Sequence, residues 1–507
     1  MPDNPAFPAL RYRRHPHLYE INTWVWLDEL STRQTAGRAG RRLTLGTVPD
    51  AEWDRLAELG FDFVWLMGVW QRSPAGRQMS RTDASFFPHY DAALPGWKME
   101  HVVGSPYAVQ AYRPDPRIGT WDELDAVRQK LRARGVGLIL DFVTNHTGPD
   151  HEWIEPHPEF FVQGTLEDFR RNPAAFLLVE RKNGETLFVA RGRDPFFAPW
   201  LDTAQLNYSR EDTRRAVIEE LRNIARHCDG VRCDMAMLVL NEVFESTWRL
   251  LLPNEPGPQR QFWTEAVAAL PEFVWIAEVY WDLEWRMQQL GFPFTYDKRL
   301  YDRLHSAPHE VHNHLRADLA YQNRSVRFLE NHDEPRSAAV FSKERLPAVV
   351  ALAGTLPGMR FYHQGQFEGR KIRPPMQLSA AAPEAPDAEV RALYERVLRI
   401  SDERVFHDGE WRLLEVTPAG DATHESLVAY EWRLEREWRI VVVNLSDHAA
   451  QGKLLLPDAT RRAAKLDFFD LLNDAHYERE SASLEGDGLF VRLDGWRAHV
   501  FAINEKA

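Results

Sequence analysis

Eight short apolar runs, separated by segments with helical spacing, constrain this chain more than any other feature. They are "YEINTWVWL" (19–27), "FDFVWLMGVW" (61–70), "GVGLILDFV" (135–143), "DGVRCDMA" (229–236), "EFVWIAEVYW" (272–281), "FPFTYD" (292–297), "SVRFLENHD" (325–333) and "GMRFYHQG" (358–365). Several are apolar almost throughout their middle, as strands buried on both faces are. Between them lie segments such as "TWDELDAVRQKLRARG" (120–135) and "REDTRRAVIEELRNIARH" (210–227), whose apolar residues recur at helical intervals. Thr120 stands where a helix start needs a cap and Gly135 where a helix stop needs a glycine. Eight strands alternating with helices predict an α/β chain folded as a (β/α)8 barrel. An open doubly wound sheet is the alternative, but it needs a phosphate-cradling glycine fingerprint after the first strand, and none is present.

Two stretches depart from the alternation. Residues 147–207 follow the third run and are rich in Pro, Phe, Asp and Arg; an insertion of that length on the strand-exit side of a barrel is usually functional. From residue 405 the pattern changes to short strands and turns, "WRLLEV", "SLVAYEWRL", "WRIVVVNLS", "GKLLLP", "LFVRL" and "RAHVFAIN", which predicts a C-terminal all-β sandwich over 405–507. The expected organisation is therefore a barrel built from 1–146 and 208–404, an inserted domain at 147–207 and the terminal β-domain. "SAAAPEAPDAE" (379–389) reads as a loop after the last barrel strand.

At 507 residues more than one domain is expected. A net charge of -13 without basic blocks argues against a nucleic-acid partner or an anionic membrane surface. "MPDNPAFPALRYRRHPHLYE" has no apolar core of a secretory leader, and no run is long enough to span a bilayer. The two cysteines, Cys228 and Cys233, form neither a disulfide framework nor a metal cluster and read as buried thiols in a reducing cytoplasm.

Charge gathers where the runs end. "FLENHDEPR" (328–336) passes from an apolar start to Glu330, Asn331, His332, Asp333, Glu334 and Arg336, and charges are costly to bury unless paired. The third run ends in Asp141, Asn145 and His146, the fourth carries Arg232 and Asp234, and the fifth carries Glu278. In a barrel the catalytic groups come from several strand ends on one face. Arg232 and Asp234 share a face of their strand, with Cys233 turned toward the helices, and an adjacent arginine is expected to keep Asp234 ionised. Taken singly, each residue has an ordinary alternative: a turn cap for Asp141, a satisfied core histidine for His146, an ion pair for Glu278. Acids and histidines at four strand ends together count against coincidence.

These residues resemble the motifs of the α-amylase family, glycoside hydrolase family 13. Four occur in that family's order: "DFVTNH" (141–146), "GVRCD" (230–234), "AEVYW" around Glu278, and "ENHD" (330–333). "LDTAQLN" (201–207) is a weaker fifth, and "GSPYAVQAYRPDPRIGT" (104–120) is similar to the family's loop after the second strand. The resemblance implies Asp234 as nucleophile, Glu278 as general acid/base and Asp333 as a third carboxylate that holds a distorted sugar. It implies Arg232, His146 and His332 as hydrogen-bonding groups, Tyr107 as a stacking ring and Asp141 as a further substrate-binding residue.

The chemistry needs one ionised carboxylate to attack carbon and one protonated carboxyl to release the leaving oxygen. The implied activity is a retaining α-glycoside hydrolase acting on a small carbohydrate, closer to members that use short α-glucosides than to endo-amylases. Met237 and Leu238 stand where endo-acting members carry Lys-His, and no DxDxDG-like loop follows the first strand. No cofactor or metal is expected; calcium would find Asn145 as a lone oxygen ligand. The alternatives are a transglycosylase, phosphorylase or isomerase using the same carboxylates, and a catalytically dead carbohydrate-binding scaffold. Arg370, Lys371 and Arg373 beyond the eighth strand could hold a phosphate, although a solvated charged loop is the plainer reading. Oligomeric state is left open.

Overall fold

The computed structural model describes residues 12–35, 42–253, 255–456 and 465–506. Residues 1–11, most of the stretch read for a leader, lie outside them, as does Pro457 at the end of "GKLLLP". Eight parallel strands close into a barrel: β1 (His17–Asn22), β2 (Phe63–Met67), β3 (Gly137–Val143), β4 (Gly230–Asp234), β5 (Val274–Ala277), β6 (Phe294–Tyr296), β7 (Ser325–Arg327) and β8 (Met359–His363). Each pairs with its neighbours in chain order, and β8 returns to β1.

Alternation along the strands sorts side chains into two cores. Leu18, Phe63, Trp65, Met67, Ile139, Ile276 and Phe361 fill the barrel interior, whereas Tyr19, Ile21, Val64, Leu66, Val231 and Cys233 pack outward against the helices. The helix Trp121–Arg132 starts in a capping box between Thr120 and Glu123. At the start of β4 the barrel is so tight that a Cβ on Gly230 would lie 2.4 Å from the Val274 carbonyl oxygen.

The first apolar run is not one strand. It ends at Asn22, and "TWVWLDEL" continues as the helix Thr23–Thr35. Trp24, Leu27 and Leu30 fall on one helical face and are buried together. The seventh run is likewise only three residues of strand, after which the chain turns irregular toward His332.

Between β3 and β4 the chain leaves and returns through a two-rung antiparallel ladder, His146 opposite Gln205 and Thr147 opposite Ala204. The segment in between carries a small sheet of Gln163–Gly164, Thr186–Ala190 and Phe176–Glu180. A second excursion, between β2 and the helix Trp121–Arg132, ends in the loop read at 104–120, but its helices and strands carry no reading in the sequence. It contains the helices Pro74–Thr82 and Phe87–Ala93 and an antiparallel pair, Trp70–Arg72 with Val109–Pro114.

After the barrel, a six-stranded and a three-stranded antiparallel sheet pack face to face. Trp438, Ile440, Leu454, Phe468 and Val491 from both sheets share their core. Two of the strands, Lys465–Asp470 and Ala475–Glu480, were not legible as strands. Tyr430 and Trp432 fasten this domain to the barrel helix Leu346–Thr355: the Trp432 indole donates to the Thr355 carbonyl at 2.8 Å. Among the described residues no helix is long and apolar enough to cross a membrane.

Candidate active site

Register brings the carboxylates together. Cys233 lies beside Ala277 in the β4–β5 pair, so the next residues, Asp234 and Glu278, emerge level at the mouth of the barrel. Arg232, fully buried, sits below and between them. Its Nη1 donates to Asp234 Oδ1 at 2.8 Å, and its Nη2 is 2.8 Å from Glu278 Oε2. The guanidinium lies over the rings of Trp65, Tyr107 and Tyr296, 5.2–5.6 Å from their centroids. Glu278 also accepts from the Met235 N–H at 2.7 Å and the Tyr280 hydroxyl at 2.7 Å. The Met235 contact uses a left-handed backbone conformation (φ 41°), an uncommon state for a bulky residue and one that clusters at functional sites.

The expectation that Arg232 keeps Asp234 ionised is not met. Burial, and then the neighbouring charge of Glu278, push the Asp234 carboxyl up to about 8 against the pull of Arg232. One arginine serves two buried carboxylates, and the pair holds a proton at neutral pH.

Asp333 stands at the rim, its side chain about a third exposed. Partial burial would raise its carboxyl, but His332, with Arg232 and Arg373 beyond it, holds it down at about 2. His332 Nδ1 is 2.5 Å from Glu20 Oε1 on β1, and its Nε2 is 3.0 Å from Asp333 Oδ2 and 2.6 Å from the Tyr107 hydroxyl. Burial opposes its charge, yet the flanking carboxylates of Asp333 and Glu20 raise it well above the ordinary imidazole value. His146 is the opposite case: burial pushes it down to about 3, so its ring is neutral.

A cavity of about 430 Å³ opens over these groups. Tyr107, His146, Asp234, Glu278 and Asp333 line it. Asp141 lies beneath, its carboxylate accepting from Trp65 Nε1 at 3.2 Å and the Gly68 N–H at 2.8 Å, and burial pushes it up to about 6. Sequence reasoning missed several wall residues: Met235, Trp200 and Asp202, and Ser105, Met376 and Gln377 from distant loops. "LDTAQLN" spans Leu201, Asp202 and Thr203 of that wall, and "GSPYAVQAYRPDPRIGT" spans Ser105, without marking any of them as a site residue.

Calcium does not fit at Asn145. Its carbonyl and side-chain oxygens accept from Gln205 Nε2 at 2.8 and 3.1 Å, and Leu206 O accepts from the same nitrogen at 3.0 Å. An amide thus takes up the oxygens that a six- to eight-coordinate cation would need. Among the described residues one other grouping could approach an ion, His17, Asp402 and His407. It begins at the first residue of β1, the barrel end opposite the cavity. Of the basic loop, Arg370 is paired with Glu29 at 2.5 Å, and Arg373 donates to the Asp333 carbonyl at the cavity edge.

The α-amylase catalytic-domain family model matches residues 51–372. Maltase 1 of Drosophila virilis is 25% identical over 321 residues, 53% of this chain and 50% of that protein. The 4-alpha-glucanotransferase of Thermotoga maritima is 24% identical over 348 residues, 62% of this chain and 65% of its own. The chain spans about half the length of the first curated relatives it matches. A maltogenic alpha-amylase from Thermotoga neapolitana superposes with a TM-score of 0.67 at 20% identity, covering 96% of this chain and 98% of that one. An isomaltulose synthase from Erwinia rhapontici does so with a TM-score of 0.64 at 14% identity, covering 98% and 100%. The barrel, its strand-end carboxylates and the family match over most of the barrel lead to one assignment: this chain belongs to the α-amylase family.

Proposed function

We propose that this protein is a retaining α-glycoside hydrolase acting on short α-glucosides through a covalent glycosyl-enzyme. The observation that carries the reading is Arg232 bridging Asp234 and Glu278 at the base of one small cavity. In the first step Asp234 attacks the anomeric carbon as the bond to the leaving oxygen breaks, and Glu278 gives that oxygen a proton. In the second, Glu278 takes a proton from water, which attacks the same carbon and releases Asp234. The one proton the pair shares must sit on Glu278 as the bond breaks, and positive charge developing on the ring then stabilises the ionised Asp234 beside it. Asp333, kept ionised by His332, binds ring hydroxyls, with His146 as a neutral partner and Tyr107 as the wall against the ring. No metal takes part, and with both thiols buried we place the protein in the cytoplasm.

The test is product analysis by proton NMR with maltose, isomaltose, trehalose, sucrose and α-glucosyl fluoride, each with and without phosphate. α-Glucose appearing first supports retention; β-glucose appearing first, or no turnover of any of these, would sink the reading. A new disaccharide or a glucose phosphate favours transfer, for which Arg373 beside Asp333 is the structural argument.

A further inference from the structure

At the barrel end opposite the cavity three ligand-type side chains converge. They are His17 of β1, Asp402 at the cap that ends the helix Ala388–Ser401, and His407 of the helix Arg404–Asp408. One donor atom from each lies within 4.8 Å of the other two. Both imidazoles are fully buried, and their ring centroids are 4.7 Å apart. Among the described residues His17 Nδ1 and His407 Nε2 have no hydrogen-bond partner, a costly state for a buried polar atom. His407 Nδ1 donates to the His15 carbonyl at 2.7 Å. In a neutral ring that bond fixes the tautomer and leaves the lone pair on Nε2, which stands 3.6 Å from Asp402 Oδ1. Burial lowers both histidines below the ordinary imidazole value, so both rings are neutral. The other His17 nitrogen, Nε2, has only long contacts, 3.3 Å to Ser401 Oγ and 3.4 Å to Arg360 Nη1. A lone pair and a carboxylate oxygen facing each other across 3.6 Å repel unless a cation lies between them.

We propose that His17, Asp402 and His407 form a zinc site that fastens the start of β1 to the two helices after β8. Two imidazoles and one carboxylate suit zinc, whereas calcium and magnesium take oxygen ligands. The Asp402 side chain is 41% exposed, so the ion has a way in, and water can fill the fourth position on that side. Arg13 is the competitor: its Nη1 donates to Asp402 Oδ1 at 2.5 Å. It also donates to both Asp62 oxygens at 2.8 and 2.9 Å, so it stays paired when Asp402 turns to the ion. The role is structural. The site joins residues from the beginning and the end of the barrel sequence and lies away from the carboxylates at the mouth.

The experiment titrates the full-length protein, stripped with EDTA and dialysed, with zinc chloride in a calorimeter. Wild type is compared with Asp402→Asn and His407→Gln. One ion per chain is expected in the wild type, with affinity lowered about tenfold or more in each variant. Saturating zinc should raise the wild-type thermal midpoint by about 2 °C or more. If His407→Gln fails to fold, Asp402→Asn carries the test, because its side chain is partly in water. Cobalt in place of zinc should give the strong visible absorption of a tetrahedral ion. No zinc uptake by the wild type overturns the site. Uptake as tight in Asp402→Asn as in the wild type, or the weak cobalt spectrum of an octahedral ion, means that the metal sits elsewhere and overturns it too.

Discussion

The two ends of strand β4 carry the same chemistry to different ends. Asp229 precedes the strand and Asp234 closes it, and both are buried beside arginine. At Asp229 cations outnumber acids: Arg128 donates to it at 2.8 Å, Arg132 contacts the same oxygen, and the Leu138 N–H takes the other at 2.8 Å. At Asp234 the ratio is reversed, with one arginine for two carboxylates and a cavity above. A buried Asp–Arg pair is therefore not diagnostic of a site. The surplus of acid over base, opening onto space, is what leaves a proton to be moved.

That contrast can be broken first at Asp234. Asp234→Asn should lower kcat on α-glucosyl fluoride by on the order of 10⁴-fold or more, with folding intact; a variant of wild-type rate would remove Asp234 as nucleophile. Because the folded state holds this proton up to about 8, far above the ordinary aspartate value, the wild type loses stability as pH rises from about 4 toward 8. The Asn variant should escape that loss, so the difference between their thermal midpoints widens with pH.

At the other end, Asp229→Asn should cost about 3–5 kcal/mol by removing the charge of a buried carboxylate that Arg128 and Arg132 both contact. Urea unfolding measures the cost, and activity per folded molecule should persist. A stability change under about 1 kcal/mol would erase the distinction between the two ends.

The smallest effect is the most specific. Glu278→Gln removes a charge that raises Asp234, so the low-pH limb of α-glucosyl fluoride turnover should move down by about 1–2 pH units. A limb that stays in place means that the two carboxylates do not share a proton.

How much of this was legible follows from burial. The parallel strands are covered on both faces, so they read as apolar runs, and their charged ends mark the mouth. Short strands and helices at the margins were harder. "TWVWLDEL" is as apolar as the strand before it, and length and spacing alone separate the two. Ala475–Glu480, "AHYERE", is a polar edge strand with little buried surface and carries no alternating signal. The helices at 74–82 and 87–93 are short and begin at or beside proline. Within the site, the groups on strand ends were readable, whereas Trp200, Met376 and Gln377 arrive on loops far apart in the chain. The protonation of Asp234 was misread because "GVRCD" displays the local arginine and hides Glu278, which comes from the next strand.

The ladder His146–Thr147 with Ala204–Gln205 has a consequence for how such a molecule can change. The segment between its rungs departs from and returns to one point, so the barrel senses it as a closed loop whose length costs little more as it grows. Residues 148–203 can therefore change in length at little cost in closure, remodelling the wall over an unaltered pair of carboxylates so long as the ties from Asp150 to Ser73 and from Arg193 to Thr247 are kept.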